Sequence, residues 1–499
     1  MSKNIVLFSD GTGNGAAKRN KTNVWRLYDA LDLHRPDQVA FYDDGVGSQE
    51  FLPFKLIGGA FGWGLARNVR ELYKFLCRTY SSGDRIYLFG FSRGAYTVRM
   101  LAGMIDYCGL YQDYQDEAEL EQACQDNYNS FRSRFKSGLL TRGIRIFTGR
   151  TDPLPTTCFP DIEFIGVWDT VDAYGLPSDE LARICNWLIF PIRFPDFNLS
   201  PKVKKACHAL SVDDERLTFH PVLWNESGEQ TADRIEQVWF PGVHSDVGGG
   251  YPRYSLALLS LDWMISKVEA RDPSPGAPGL HLIRRKREEY LRHSDWHAPQ
   301  HDSRAMFAAY YRYKPRDITL LCNDYKNDIH IRLPRIHRSV MERIAGNMVP
   351  YAPALLPGRY RVVSTRGSQP LYELPEERRQ RLQAMRPVRR IIALRRLLYY
   401  CFLVTSLLFA TSPFFLGCLH ADQCPPAPGL LSCLLGYVQE LLPEILSPWL
   451  RTLRTSPVLL WSLIVLFILF SFLKNLAWKK TLQLATRGWD RVKGGPEKR

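Results

Sequence analysis

Through the first half of the chain, short apolar runs alternate with stretches whose apolar residues recur at helical spacing. Residues 4–8 form an apolar run closed by the turn residues Asp10-Gly11-Thr12-Gly13-Asn14, which predicts a strand and its exit turn. Residues 23–31 predict a helix, and residues 40–42 a second strand before the turn-rich DDGVGS. Leu65, Val69, Leu72 and Leu76 share one helical face, which predicts a helix over 65–80. Residues 85–89 predict a strand and 95–107 a helix; 162–168 and 235–240 predict two more strands. This alternation predicts an α/β layered fold with a mostly parallel sheet. Residues 112–157 read as a helical insertion. Residues 178–230 read as helical and irregular, broken by Pro191, Pro195 and Pro201. Residues 255–375 continue the same part, opening with a helix over 256–268 and passing through the loop DPSPGAPG.

The pattern changes after Glu377. Eight arginines between 378 and 396 are followed by 397–419, a run of 23 residues without a charge. At about 1.5 Å per residue such a helix crosses a hydrocarbon layer of about 30 Å, and a kink at Pro413 is tolerated there. A second apolar run, 457–474, is followed by a basic tail. The expected organisation is a catalytic domain over 1–375 with helical insertions and a basic juxtamembrane linker over 376–396. Then come a transmembrane helix over 397–419, an apolar interfacial loop over 420–456, a second transmembrane helix over 457–474 and the tail 475–499. Basic residues flank both runs on the same side, which places both flanks and the catalytic part in the cytoplasm.

Composition narrows the function classes. A chain that is 45% hydrophobic and 23% charged has enough apolar surface to fold, which excludes general disorder. The net charge of +14 points to an anionic partner, and its concentration beside the apolar runs favours lipid headgroups over nucleic acid. No zinc-finger, basic-zipper or RNP pattern appears. The 11 cysteines include no CxxC pair and read as reduced thiols. The start MSKNIVLFSD does not read as a signal peptide, because its apolar run is short and an Asp closes it.

The candidate chemistry centres on Gly90-Phe91-Ser92-Arg93-Gly94, between the strand RIYLF and the helix AYTVRMLAGMI. Gly-x-Ser-x-Gly in that setting is a nucleophile elbow: the serine stands on a tight turn, and Gly90 and Gly94 leave room for it. The expected order is then Ser, acid, His, with acid and base just past strand ends. Asp169 ends the run IEFIGVW, and His244 follows IEQVWFPGV. Asp172 and Asp246 are rivals for the acid. His208 and His220 lack a comparable strand-end setting and read as core or surface residues. The oxyanion is expected to be held by the N–H of Arg93 and a second N–H near Gly11-Thr12. Asp10 reads as a turn-ordering residue. The glycine-rich GGAFGWG at 58–64 lacks the Lys-Ser/Thr of a phosphate loop. The proposed reaction calls for no metal and no cofactor.

DGTGN, YDDGVGS, GDRIYLFGFSRGAYTVRMLAG, GVWDTV and PGVHSDVGGGY occur in that order, joined by HALSVDDERLTFHPVLW. Together they resemble the catalytic domain of class-one type VI secretion phospholipase effectors and its wider hydrolase family, over about residues 3–365. The resemblance implies an α/β-hydrolase catalytic domain with Ser92, Asp169 and His244 as its triad, and hydrolysis of phospholipid acyl esters. It also implies antibacterial delivery, a cognate immunity protein and a secretion-spike partner. The alternatives are a membrane-tethered esterase acting on soluble esters, and a non-catalytic protein whose membrane hairpin disrupts bilayers or serves as a scaffold.

Overall fold

The computed structural model describes residues 2–11, 19–45, 59–133, 158–171, 197–228, 233–269, 279–346, 351–365, 371–415 and 444–493. Thr12, Asp172, most of DPSPGAPG, and the parts 134–157, 178–196 and 420–443 of the regions named above lie outside the described residues. The chain divides into two compact units, Met1–Arg378 and Arg379–Arg499.

The strands of the first unit are β1 (Asn4–Ser9), β2 (Gln38–Asp43), β3 (Arg85–Phe91), β4 (Ile162–Trp168), β5 (Val203–Ser211), β6 (Ile235–Phe240), β7 (Asn323–Asp324), β8 (Ile329–His330), β9 (Arg335–His337), β10 (Arg361–Val363) and β11 (Leu371–Tyr372). Among the described residues, nine of them form one sheet in the order β2-β1-β3-β4-β5-β6-β9-β10-β11. All its neighbours run parallel except β10 and β11, which pair antiparallel at the edge. β7 and β8 form a separate small hairpin.

β1 shows why the sheet is covered on both faces. Alternate side chains of a strand point to opposite sides. Ile5 and Leu7 pack with Leu65, Val69 and Leu72 of helix α2 (Gly59–Thr79) and with α3 (Arg93–Cys108). Val6 and Phe8 pack with Val24 and Leu27 and with the helix Ala257–Val268 on the other face. Within the predicted insertion, Glu117–Ser133 is helical and adds Leu120, Tyr128 and Phe131 to the first face.

β5 corrects the expectation for 178–230. Where helical and irregular structure was expected, Val203–Ser211 is a central strand, paired with β4 on one side and β6 on the other. Its N-terminal end carries Lys204 and Lys205, whose ammonium groups reach Glu163 and the Asp233 carbonyl, and these two are its only residues that are not buried.

The strand order reverses at β1, which has β2 on one side and β3 on the other. Parallel sheets open a crevice beyond the C-terminal ends of their strands at such a switch point. Ser92 follows β3 there, and Asp10 follows β1.

Pro375–Phe414, which begins in the last residues of the first unit, and Val458–Asp490 in the second delimit helical stretches long and apolar enough, by length and composition, to cross a membrane. The helix Arg386–Phe415 includes much of the arginine-rich stretch, and Pro457–Lys493 runs on into the basic tail. The two pack through Phe402 and Phe467, with ring centroids 5.1 Å apart. Pro413 removes the N–H that would bond the carbonyl of Phe409. The Trp449 indole N–H donates to that carbonyl at 3.0 Å instead, and Ser412 Oγ adds a bond of 2.8 Å.

Candidate active site

The turn from β3 into α3 is packed against itself and against β1. A Cβ on Gly90 would lie 2.5 Å from the Gly94 carbonyl oxygen, and one on Gly94 would lie 2.0 Å from that of Ser9. Only glycine fits at either position. Ser92, between them, has φ 58 and ψ −122, a left-handed conformation that costs a non-glycine residue about 1–3 kcal/mol. Backbone bonds hold it there: Ser92 N–H donates to the Trp168 carbonyl at 3.0 Å, and Val171 N–H donates to the Ser92 carbonyl at 3.4 Å.

Asp169 follows β4, the next strand, with φ 40. His244 opens the short helix His244–Gly248 beyond β6. The structure brings the three together: His244 Nε2 is 2.9 Å from Ser92 Oγ, and Nδ1 is 2.5 Å from Asp169 Oδ2. An ionised carboxylate only accepts, so Nδ1 carries the proton and donates. That leaves the lone pair of Nε2 facing the serine hydroxyl. The imidazole is wedged between rings, 4.6 Å from Phe91 and 5.0 Å edge-on from Phe219. A Cβ on Gly248 would lie 2.0 Å from the Phe91 ring, so this glycine lets the His244 helix close on the elbow.

Asp169 is wholly buried and fully bonded. Ser211 N–H donates to Oδ1 at 3.0 Å. Arg316, 2% exposed, donates from Nη1 to Oδ1 at 2.7 Å and from Nη2 to Oδ2 at 2.8 Å. The same guanidinium donates to the carbonyls of Ser211 and Phe219. Burial alone would raise the Asp169 carboxyl, but Arg316 and the bonded imidazole override it and hold the group below the ordinary carboxylate range. Burial holds the His244 imidazole below its ordinary value, against the opposing pull of Asp169.

Of the rival acids, Asp246 is engaged elsewhere: it accepts from His301 Nδ1 at 2.6 Å and from Val243 N–H at 3.1 Å. His208 lies inside β5 with no exposure, as a core residue. Its Nε2 accepts the Thr170 N–H at 3.1 Å, and burial first, then nearby Arg99, lower it to about 3. His220 bonds the Lys314 carbonyl at 2.8 Å.

Arg93 is the first residue of α3, at the positive end of that helix's dipole. The Gly11 N–H donates to Asp10 Oδ1 at 2.6 Å. Thr22 Oγ1 and Tyr42 OH both donate to Asp10 Oδ2 at 2.6 Å. Burial raises Asp10 to about 6 against these bonds. Asp10 thus orders the turn, as expected, and occupies the N–H assigned to the oxyanion.

Two features escaped the sequence reading. Arg316 sits in YKPRD, which carries no periodic or motif signal. Asp214 Oδ2 accepts the His244 backbone N–H at 3.2 Å while pairing with Arg216 at 2.7 Å. The run SVDDER, inside a block already singled out, was the available signal for that pair. Among the described residues, no group of three or more His, Cys, Asp and Glu side chains is arranged to hold a metal ion.

Comparison with known proteins adds an uncharacterized protein of Saccharomyces cerevisiae, YEL023C, 28% identical over 236 residues. That match spans 44% of this chain and 32% of the yeast protein, about a third of its length. A crystal structure of an uncharacterized protein from Pseudomonas aeruginosa aligns over 100% of this chain and 68% of that one, at 16% identity and a TM-score of 0.32. Residues 3–267, which include the elbow, the Asp169 strand end and the His244 helix, match the catalytic domain of the T6SS phospholipase effector Tle1-like family, a shorter span than the motifs suggested, and the chain belongs to that family.

Proposed function

We propose that the protein is a membrane-associated serine phospholipase with an α/β-hydrolase catalytic domain, cleaving acyl esters of glycerophospholipids through Ser92, His244 and Asp169. The observation that carries this reading is the bonded chain from Ser92 Oγ to His244 Nε2 at 2.9 Å and from Nδ1 to Asp169 at 2.5 Å, at the switch-point crevice. His244 takes the Ser92 proton as the alkoxide attacks the ester carbonyl. Asp169 holds the tautomer and stabilises the imidazolium. The Arg93 N–H stabilises the oxyanion, and the second donor is assigned to the Gly11-Thr12 turn. The imidazolium protonates the leaving glycerol oxygen. Water, deprotonated by the same base, then releases the fatty acid from the acyl-enzyme.

Lipid as the substrate is supported by family membership and by exposed apolar surface. Leu397, Val404, Leu407 and Phe414 on one helix, and Val458, Val465 and Ile468 on the other, are exposed. The organisation into a catalytic domain over 1–375, a membrane hairpin with spans 397–419 and 457–474, and cytoplasmic basic flanks belongs to this proposal. Met306 and Phe307, 85% and 84% exposed, stand on the turn before Tyr311, whose ring is 5.5 Å from Phe219 beside His244. Type VI delivery, an immunity protein and a spike partner follow from the family and are part of the same proposal.

The test is hydrolysis by full-length protein of vesicles whose two glycerol positions carry distinguishable acyl chains, with Ser92→Ala alongside. Serine-dependent release of fatty acid is expected, and the released chain gives the position cut. Activity on soluble esters with none on vesicles would replace this reading by the tethered esterase. Equal vesicle leakage by both proteins, without release, would leave the hairpin as the active part.

A further inference from the structure

The acid of the candidate site faces two cations. His244 approaches Oδ2 of Asp169, and Arg316 closes a two-pronged bond on both oxygens. Asp169, Arg316 and His244 are all nearly or wholly buried, so their summed charge matters more than it would in water. With the imidazole neutral, the set carries no net charge. Protonating the imidazole then leaves an uncompensated buried positive charge. Without Arg316, the same protonation would convert a buried negative charge to zero. The guanidinium therefore works against the imidazolium that Asp169 alone would favour.

We infer that Arg316 is a positioning residue that sets the working pH of the site, neutralising Asp169 so that the base stays unprotonated and ready in mildly acidic conditions. This rests on the proposed serine mechanism and goes beyond it. Arg316 also ties the carbonyls of Ser211 and Phe219 to the acid, and so braces β5 and the ring that packs on His244. It lies outside residues 3–267, so the site is completed by chain beyond the part that matches the family.

Other charged and titratable groups surround the pair. Asp214, on the loop after β5, is matched by Arg216, whose guanidinium lies 3.5 Å from the Phe219 ring centroid. Asp246, on the His244 helix, is bonded to His301. Asp213 accepts from Gly242 N–H and Tyr351 OH, and burial raises it to about 7. His208 on β5 and His220 after it are held neutral, burial lowering them to about 3 and about 4. Ser92 brings an uncharged hydroxyl.

The experiment follows the rate of Ser92 labelling by a fluorophosphonate, and kcat/KM on a soluble ester, against pH with full-length protein in detergent. Wild type, Arg316→Met, Arg316→Gln and Arg316→Lys are compared. The wild-type acid limb is expected below the ordinary imidazole value of 6.5. The neutral variants should raise it by roughly one pH unit or more, with the alkaline plateau reached later, and lysine should bring it back toward wild type. An unmoved limb in whichever neutral variant folds, judged by circular dichroism and melting, would reduce Arg316 to a structural brace. A wild-type limb at or above the ordinary value would overturn the inference even if no neutral variant folds. Loss of the underlying serine mechanism reads differently: wild type would then label no faster than Ser92→Ala at any pH.

Discussion

A methyl group at Gly94 would meet the Ser9 carbonyl oxygen at 2.0 Å and the Asp10 carbonyl oxygen at 2.5 Å. Ordinary contact begins near 3.4 Å, so the elbow would have to withdraw from β1 by more than about 1 Å. Both obstructing atoms are backbone of a buried strand end and cannot rotate aside. Overpacking of this kind costs about 1–3 kcal/mol, and the rigid partners put Gly94→Ala at the upper end. Ser92 Oγ moves with the turn, and a misplacement of about 1 Å costs about a hundredfold in rate. Two controls separate crowding from the general effect of replacing glycine. Nothing lies within 4 Å of a Cβ at Gly358, so alanine there should leave stability and turnover unchanged or slightly improve stability. Gly83 also has open space but a φ of +93, so alanine there should lower the melting temperature and spare turnover. The assay is soluble-ester turnover and fluorophosphonate labelling, with thermal melts of the same preparations. Wild-type turnover in Gly94→Ala, or an equal loss in Gly358→Ala, would refute the argument from turn packing.

Two further outcomes are expected. Asp213 has a folded pKa of about 7 against an ordinary 3.8, so the folded state keeps a proton that the unfolded state releases. Its contribution to stability is complete below pH 3.8 and is lost as pH rises toward 7. Asp213→Asn cannot ionise, so its melting temperature relative to wild type should climb between pH 4.5 and 7.5, in steps of up to about 1.4 kcal/mol per unit; a constant difference would contradict the assigned shift. Replacing both Met306 and Phe307 with serine should cut vesicle hydrolysis at least tenfold, since full burial of each side chain in lipid is worth about 1.5–3 kcal/mol and about 1.4 kcal/mol already makes a factor of ten, and leave soluble-ester turnover intact. Equal losses on both substrates would show that the turn serves the site rather than the bilayer.

The apolar runs located the heart of the sheet. The expected strands at 162–168 and 235–240 are β4 and β6 to the residue, and 85–89 is β3 short of its last two positions. Those strands are buried on both faces, so their runs are continuous and bounded by polar residues. Ser92, Asp169 and His244 were legible for the same reason: each follows such a run. The last three strands toward one edge, β9, β10 and β11, span two or three residues, too few for any periodicity to register. Arg316 was invisible because its partner lies 147 residues away and nothing near it in sequence encodes that contact.

The missed strand and the brace on the acid have one physical cause. Ser92 and Asp169 hold left-handed backbone on adjacent strand ends, with φ 58 and φ 40, and each would relax unless its neighbours fixed it. Ser92 is fixed by β4, through Trp168. Asp169 is fixed by β5, through the Ala209 carbonyl that accepts its N–H at 2.8 Å and through His208, which accepts the N–H of Thr170. Ser211 at the end of β5 then donates to the carboxylate itself. A strand with those duties needs polar side chains where a purely structural strand would carry apolar ones. His208 within the strand and Ser211 at its end are such residues, and together with Lys204, Lys205 and the nearby Pro201 they left VKKACHALS without a continuous apolar run. The same polarity requires buried compensation: Gln237 satisfies the other nitrogen of His208 at 3.3 Å, and Arg316 satisfies the carboxylate. In this sheet, the departure of β5 from a simple apolar pattern is itself a mark of the strand that supports the acid.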